Sequence, residues 1–243
     1  MTLARFYCPL PLPANGRIDL PNAQAHHAVR VLRLKTGDAV VLFNGQGGEV
    51  PGTIAQLQAN RVTVALHAPL ETERESGVAV TLLQALTGTD KMDLVIQKAV
   101  ELGVARIQPV VTERSVVRLN GDRAQKRLAH WQGVVVSACE QCGRNRLPEV
   151  MALAPLRERL DEAQRAAARW VLLPDADQRL RDLTPPDGEI ALLVGAEGGF
   201  TSAEHSAVRT CGFVPVCLGA RVLRTETAGL AALAAIQTLW GDF

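Results

Sequence analysis

Apolar and polar positions along the chain change rhythm once, near residue 77. Before that point the apolar runs are short. Ala39–Asn44 and Arg61–His67 are rich in Val, Leu and Phe or alternate in polarity, which predicts strands. Gly45, Gly47, Gly48, Pro51 and Gly52 punctuate the turns between them. One helical pattern, Ala23–Leu34, interrupts the strands and stops near Lys35-Thr36-Gly37-Asp38. Several short strands and one helix in so few residues predict a small β-barrel over residues 1–70. The run Ala68–Gly77, APLETERESG, is acidic and nearly devoid of apolar side chains. It supplies a linker, residues 71–77, ahead of a second domain over residues 78–243.

Past the linker, apolar strands alternate with helical patterns. Val78–Leu86 is an apolar strand, and Met92, Val95, Ile96, Ala99 and Leu102 follow at 3-4 spacing behind Asp90. Asp90 is the expected cap of that helix and Gly103 its stop. Ile107–Val111 is the next strand, and a long helix runs from Asp122 to Cys142. Trp170–Leu173 and Ile190–Val194 are unbroken apolar runs, as expected of strands buried on both faces. Thr201-Ser202-Ala203-Glu204 is a capping box, so a helix starts there. The last helix, Glu226–Leu239, is so apolar that it must be covered on more than one side, by the fold or by a second subunit. This alternation predicts an α/β domain around a parallel sheet.

Composition narrows the class. At 243 residues, with 47% hydrophobic and 21% charged side chains, the chain has the make-up of a soluble globular protein. It contains no apolar run of the roughly 20 residues a membrane span requires, and MTLARFYCPLPLPANG is not a signal peptide. The five cysteines are odd in number and scattered, as in a reduced, cytoplasmic protein. Cys139-Glu140-Gln141-Cys142 has no second pair and no histidine at finger spacing, so packed thiols are expected and metal is not. Whether the pair has a redox role stays open. Net charge is +1, which by itself announces no nucleic acid. Locally, Arg123, Lys126, Arg127, Arg144 and Arg146 outnumber Asp122 and Glu140, and Arg5, Arg17, Arg30, Arg33 and Lys35 outnumber Asp19, Asp38 and Glu49.

The chemistry gathers near the C-terminus. Two glycine-rich loops each leave an apolar strand: Gly195-Ala196-Glu197-Gly198-Gly199-Phe200, and Gly219-Ala220-Arg221-Val222-Leu223-Arg224-Thr225-Glu226-Thr227. Strand, tight loop and helix present backbone groups at the carboxyl end of a sheet, where small ligands bind. Neither loop has the spacing of a dinucleotide fold or a phosphate loop, and no nucleophile elbow occurs. Thr225 is a candidate helix cap, with Glu226 in the first turn. That role leaves Arg221 and Arg224 unexplained, because cations at a helix N-terminus are mildly unfavourable unless they meet an anion.

These residues resemble a known family. GAEGGF followed by LGARVLRTETA is similar to the glycine-loop and L-G-x-R-[IV]-L-R-x-E-T-A signatures of the SPOUT (trefoil-knot) RNA methyltransferases. The likeness is greatest to the 16S ribosomal RNA uracil-N3 methyltransferases. HAVRVLRLKTGD, KMDLVIQKAVELGV and ACEQCGRNRLPEV resemble further segments of that family, in the same order. Ala196 and Ala220 stand where relatives carry proline, which frees φ without removing a functional group. Thr87-Gly88-Thr89-Asp90 lacks the lysine of many relatives, and Lys91 is the candidate replacement.

The resemblance implies a knotted C-terminal α/β domain, an N-terminal PUA-like barrel that binds RNA, and a homodimer formed through the knotted domain. It implies S-adenosylmethionine as cofactor, held by Leu173, Pro174, Val194, Gly195, Glu197, Gly198, Gly199, Leu218, Gly219, Arg221, Val222, Leu223, Arg224, Thr225, Thr227 and Ala228. The reaction would be methylation of N3 of a uridine, number 1498 in the family, in the 16S RNA of the small subunit. Arg221 and Arg224 are the candidates for stabilising charge on the uracil oxygens, and Glu226 or Glu197 for taking the N3 proton. Arg5, Arg30, Arg33, Lys91, Arg144 and Arg146 are the expected phosphate contacts. A ribose 2′-O-methyltransferase of the same superfamily, or a non-catalytic RNA-binding assembly protein, are the alternatives. The identity of the base, and free RNA against assembled 30S particle as substrate, stay open at this stage.

Overall fold

The computed structural model describes residues 3–58, 61–115, 117, 119 and 121–243. The chain divides into two compact units, one made of Met1–Glu75 with Val136–Leu147, the other of Ser76–Val135 with Pro148–Phe243.

The first unit is built on strands β1 (Ala4–Tyr7), β2 (Arg17–Asp19), β3 (Ala39–Phe43), β4 (Val50–Gln58) and β5 (Arg61–Leu66). Their order in the sheet is β1-β3-β4-β5-β2, with β1 parallel to β3 and the other pairs antiparallel. Period two is plain in β5, where Val62, Val64 and Leu66 are buried and the residues between them are not. Gly52 lies opposite this row because a Cβ there would come within 2.6 Å of Val64 Cγ1. A bulge between Ile54 and Gln56 then shifts the register of β4. The helix expected over 23–34 begins as α1 (Asn22–His26) and widens into a π-helical turn, His27–Val31. Ala25 and Ala28 point inward to join Phe6, Leu42, Ile54 and Val64 in the core.

A polar clasp closes this unit. Arg5 donates to Glu49 at 2.6 Å, to Asn145 Oδ1 and to the carbonyl of Arg144, and lies over the Phe43 ring at 5.1 Å. Arg74 reaches Glu49 at 3.1 Å and the Gly143 carbonyl at 3.0 Å. Arg144 is bound to Glu75, and Arg146 to Glu73 at 3.1 Å. Asn145, fully buried, donates to the Thr72 carbonyl at 2.6 Å. Residues 70–75, acidic in sequence, are thereby fastened along the 143–146 segment.

The second unit holds β6 (Val80–Ala85), α2 (Thr89–Glu101), β7 (Arg106–Val111), the first part of α3 (Gly121–Cys142), β8 (Glu149–Val150) and β9 (Ala154–Pro155). There follow α4 (Leu156–Ala163), β10 (Ala168–Leu172), β11 (Ile190–Val194), α5 (Ser202–Thr210), β12 (Val214–Val216) and α6 (Thr225–Trp240). The sheet runs β12-β10-β11-β6-β7-β8, with β9 also on β7, and each of these pairings is parallel. β6 and β11 are buried at every position; β11 is an unbroken apolar run, and β6 also buries Thr81 and Gln84.

Two helix starts differ from expectation. Asp90 does not cap α2. Gly88 is the cap residue, without a side-chain bond, and Asp90 sits in the first turn, where its charge complements the dipole. Thr225 does not cap α6 either. Arg224 is the cap residue, and Thr225 is the first helical residue, buried. The Thr201–Glu204 capping box forms with both reciprocal bonds.

The chain leaving β12 is clasped by the connection that left β10. Cys217 N–H donates to the Gln178 carbonyl at 2.8 Å, and Leu180 N–H to the Cys217 carbonyl at 3.1 Å. α6 then crosses back to pack on β6, β11 and α2. The bonds from Cys217 to Gln178 and Leu180, with the Arg179–Cys217 bridge, hold the exit of β12 against that connection.

Glu49 supplies a pH test of the clasp. Burial opposes its ionisation, but hydrogen bonds from Arg74 and Arg5 outweigh burial and hold its carboxyl at about 2, below the ordinary 4.5. A depressed carboxyl contributes stability that is fully present above the unfolded value, here about pH 4.5, and is lost as pH falls toward 2. That contribution is on the order of 2–3 kcal/mol at neutral pH. Guanidinium unfolding at pH 7, 5 and 3 should show Glu49→Gln less stable than the native chain at pH 7, with the gap narrowing by pH 3.

Candidate active site

A cleft opens at the carboxyl ends of β10, β11 and β12, enclosing about 750 Å³ with its solvent mouth. Its walls come from the segments just past each strand: Leu172 to Pro174, Val194 to Glu197 with Gly199 and Phe200, and Val216 to Gly219. Arg221, Val222, Leu223, Thr225 and Ala228 complete it from the loop into α6. Gly195 is required because a Cβ would meet the Phe200 ring at 2.9 Å. Gly199 and Gly219 hold φ of +68° and +148°, in the left-handed range that side chains avoid.

Of the residues expected from the sequence, the cleft brings together Leu173, Pro174, Val194, Gly195, Glu197, Gly199, Leu218, Gly219, Arg221, Val222, Leu223, Thr225 and Ala228. Gly198, Arg224 and Thr227 do not line it. Gly198 turns its carbonyl to Arg114 Nη1 at 2.9 Å. Thr227 N–H donates back to the Arg224 carbonyl. Ala196, inside the marked loop, lines the cleft as well, and Leu172, Phe200, Val216 and Cys217 do so without having been singled out. Their signal was position: each ends a strand or sits inside the glycine loop already marked.

Beside the cleft lies a polar slot lined by Lys91, Glu197, Val222, Leu223, Arg224, Thr225 and Glu226. Four of these residues also line the cleft, so the two spaces adjoin. Lys91 Nζ lies 2.5 Å from Glu197 Oε1 and 3.4 Å from Glu226 Oε1. Arg224 Nη1 is 3.9 Å from the same Glu226 oxygen, with its side chain 80% exposed. The Glu226 carboxyl is held below its usual range, first by its own backbone N–H and further by Lys91 and Arg224. Its other oxygen, Oε2, is buried with no hydrogen-bond partner. Lys91 is pushed up, chiefly by its bond to Glu197. Lys91 was expected to meet phosphate. Its two carboxylate partners give it to the slot instead.

Two other expected phosphate contacts need correction. The side chains of Arg5 and Arg144 are 7% exposed and bound to Glu49 and Glu75. Their charge is neutralised inside the first unit and offers nothing to an external anion. Arg146 is more than half exposed beside Glu73, and Arg30 and Arg33 are exposed at the end of the α1 turn. Cys139 is buried, and burial pushes its thiol up to about 12, which makes it unreactive. The five cysteines are free thiols. Among the described residues, no group of His, Cys, Asp and Glu side chains is placed to hold a metal, and no helix is long and apolar enough to cross a membrane.

Comparison with known proteins places this geometry. A family model described as an RNA methyltransferase domain matches residues 74–237, and one described as an RNA methyltransferase PUA domain matches residues 20–66. A ribosomal RNA small subunit methyltransferase E from Buchnera aphidicola (Schizaphis graminum) is 32% identical, covering 99% of this chain and 98% of its own. Among solved structures, a methyltransferase from Legionella pneumophila with bound cofactor SAM has a TM-score of 0.94 at 35% identity. A ribosomal RNA small subunit methyltransferase E from Neisseria gonorrhoeae, bound to S-adenosyl methionine, has a TM-score of 0.93 at 41% identity. Both cover 100% of each chain, so the fold is theirs throughout: α/β, with a knotted C-terminal domain and an N-terminal PUA unit. This chain belongs to the RNA methyltransferase family, alongside the ribosomal RNA small subunit methyltransferases E.

Proposed function

We propose that this protein uses S-adenosylmethionine to methylate N3 of a uridine in the 16S ribosomal RNA of the small subunit. The observation that carries the reading is the pairing of two spaces: an apolar cleft among glycine loops, adjoining a slot in which one carboxylate meets two cations. The cleft fits the cofactor. Leu173, Leu218 and Leu223 offer apolar faces to a purine, and Gly195, Gly199 and Gly219 admit backbone close to a ligand. When bound, the cofactor supplies a methyl group activated by its sulfonium charge.

The chain's own groups then have a defined task. N3 of uridine carries a proton and is a poor nucleophile until that proton is lost. The Glu226 carboxylate, which lines the slot and is held below its usual range, is the acceptor for it. Arg224, at the slot, faces the oxygens on which the uracil charge spreads, an oxyanion-type role, while Arg221 lines the cofactor cleft. Glu197 holds Lys91 at the slot and is the lesser candidate base. The target base must leave its stack, which costs a few kcal/mol unless it is already unpaired. Holding acceptor and donor in line contributes further, up to roughly 7–11 kcal/mol in ideal cases.

The N-terminal unit supplies RNA contacts through Arg30, Arg33 and Arg146, and the protein acts in the cytoplasm as a homodimer built through the knotted domain. α6 supports the dimer: Glu226 is its one charged residue, and Leu239 is exposed on it.

The test of function is methylation of 16S RNA and of 30S particles from cells lacking this protein, with the product mapped by nuclease digestion and mass spectrometry. Methyl on uridine N3 is expected, and methyl on a ribose would overturn the reading. Arg224→Ala and Glu226→Gln should each lower turnover by about 10²–10³-fold, while calorimetry finds cofactor affinity changed by less than about threefold. Particle affinity should fall linearly with the logarithm of salt concentration, and each of Arg30→Ala and Arg33→Ala should flatten that slope by about one.

A further inference from the structure

The slot has more order than a proton acceptor needs. Glu226 stands at its centre, with Oε1 turned to Lys91 and Arg224 and Oε2 buried and unpartnered. The two cations come from distant parts of the chain, Lys91 from the first turn of α2 and Arg224 from the cap of α6. An ammonium has three donors. Lys91 directs bonds to Glu197 and Glu226 and is still partly open to solvent. The Arg224 guanidinium has five donors and is mostly exposed. Both cations lie within reach of one oxygen of the Glu226 carboxylate, at 3.4 and 3.9 Å, so the slot gathers two donors around one acceptor.

The imide edge of uracil presents the complement: a carbonyl oxygen, the N3–H, and a second carbonyl oxygen. Cytosine does not. Its N3 is a bare acceptor, and one carbonyl is replaced by an amino group that donates. Against cytosine, the Glu226 carboxylate would face a lone pair, and one cation would face N–H bonds. Val222, 78% exposed, and Leu223 supply apolar surface for the flat face of the ring and also line the cofactor cleft.

We propose that Lys91, Glu226 and Arg224 form a reading edge that selects uracil over cytosine, with the N3–H donating to the Glu226 carboxylate and the flanking carbonyls accepting from Lys91 and Arg224. This rests on the uridine methyltransferase reading and adds to it the means of base choice. Lys91 thereby becomes a specificity residue that touches the base rather than a phosphate contact. Glu197, its strongest partner, is a positioning residue that keeps the ammonium over the slot.

The experiment measures equilibrium affinity for 30S particles reconstituted around 16S rRNA with uridine, cytidine or N3-methyluridine at the target position. The native chain should favour the uridine particle by about tenfold or more over each of the others, the size of one well-formed edge contact. Glu226→Gln, whose amide can turn either an oxygen or an NH2 to the base, should bind uridine and cytidine particles within about threefold. Lys91→Met should weaken the uridine particle alone. The N3-methyluridine comparison uses only the native chain, so it decides the matter even if a variant misfolds. Equal native affinity for the three particles, or a uridine preference that survives both substitutions, overturns the reading edge and leaves the methyltransferase reading intact. Failure of the native chain to bind or methylate the uridine particle overturns both.

Discussion

Everything at the active site depends on the two hydrogen bonds that tie Cys217 to Gln178 and Leu180. They fasten the exit of β12 to the connection after β10, and so set where the second glycine loop begins. The cleft needs that constraint, because its walls come from three strand ends that adjoin only through the parallel order β12-β10-β11. A loop of glycines and alanines is otherwise soft, with two prolines of the family pattern replaced by Ala196 and Ala220. Here the two bonds do what those rings would do locally. They restrict the loop from outside rather than from within.

Much of this was legible in the sequence where the determining forces are local. The Thr201–Glu204 box needs only four residues and formed as read. β11 is apolar at every position, and burial on both faces follows directly. The helix caps of α2 and α6 were misassigned by one or two residues. Their starts are governed by backbone geometry at Gly88 and Arg224, not by the side chains of Asp90 and Thr225. The π-helical turn at His27–Val31 was likewise invisible, since one extra residue per turn leaves the apolar spacing nearly unchanged.

What the sequence hid was the pairing of charges across long separations. Arg5 and Asn145 are 140 positions apart, and Lys91 and Glu197 are 106 apart. Basic residues in a string look like a surface for phosphate until their partners are known. Arg144 reads the same way as Arg146 in the sequence, yet one is buried against Glu75 and the other is mostly open. The acidic run that separates two folding patterns turned out to be the counter-charge for the basic segment far downstream.

That clasp also sets an order in time. The first unit is discontinuous, since Glu140, Arg144 and Asn145 belong to it as firmly as Arg5 and Glu49 do. A nascent chain that has emerged only to residue 75 holds every strand of its sheet and the Arg5–Glu49 pair, but lacks Asn145 for Arg5, Glu140 for the Tyr7 N–H and Arg144 for Glu75. At synthesis rates of about 5–20 residues per second, several seconds separate the last strand from its completion. Over that interval α2, β7 and most of α3 are made. An RNA-modifying enzyme of this build therefore cannot finish its N-terminal unit before its neighbour is well under way, and a fragment cut at the apparent linker would lack the 140–146 partners of Arg5, Tyr7 and Glu75.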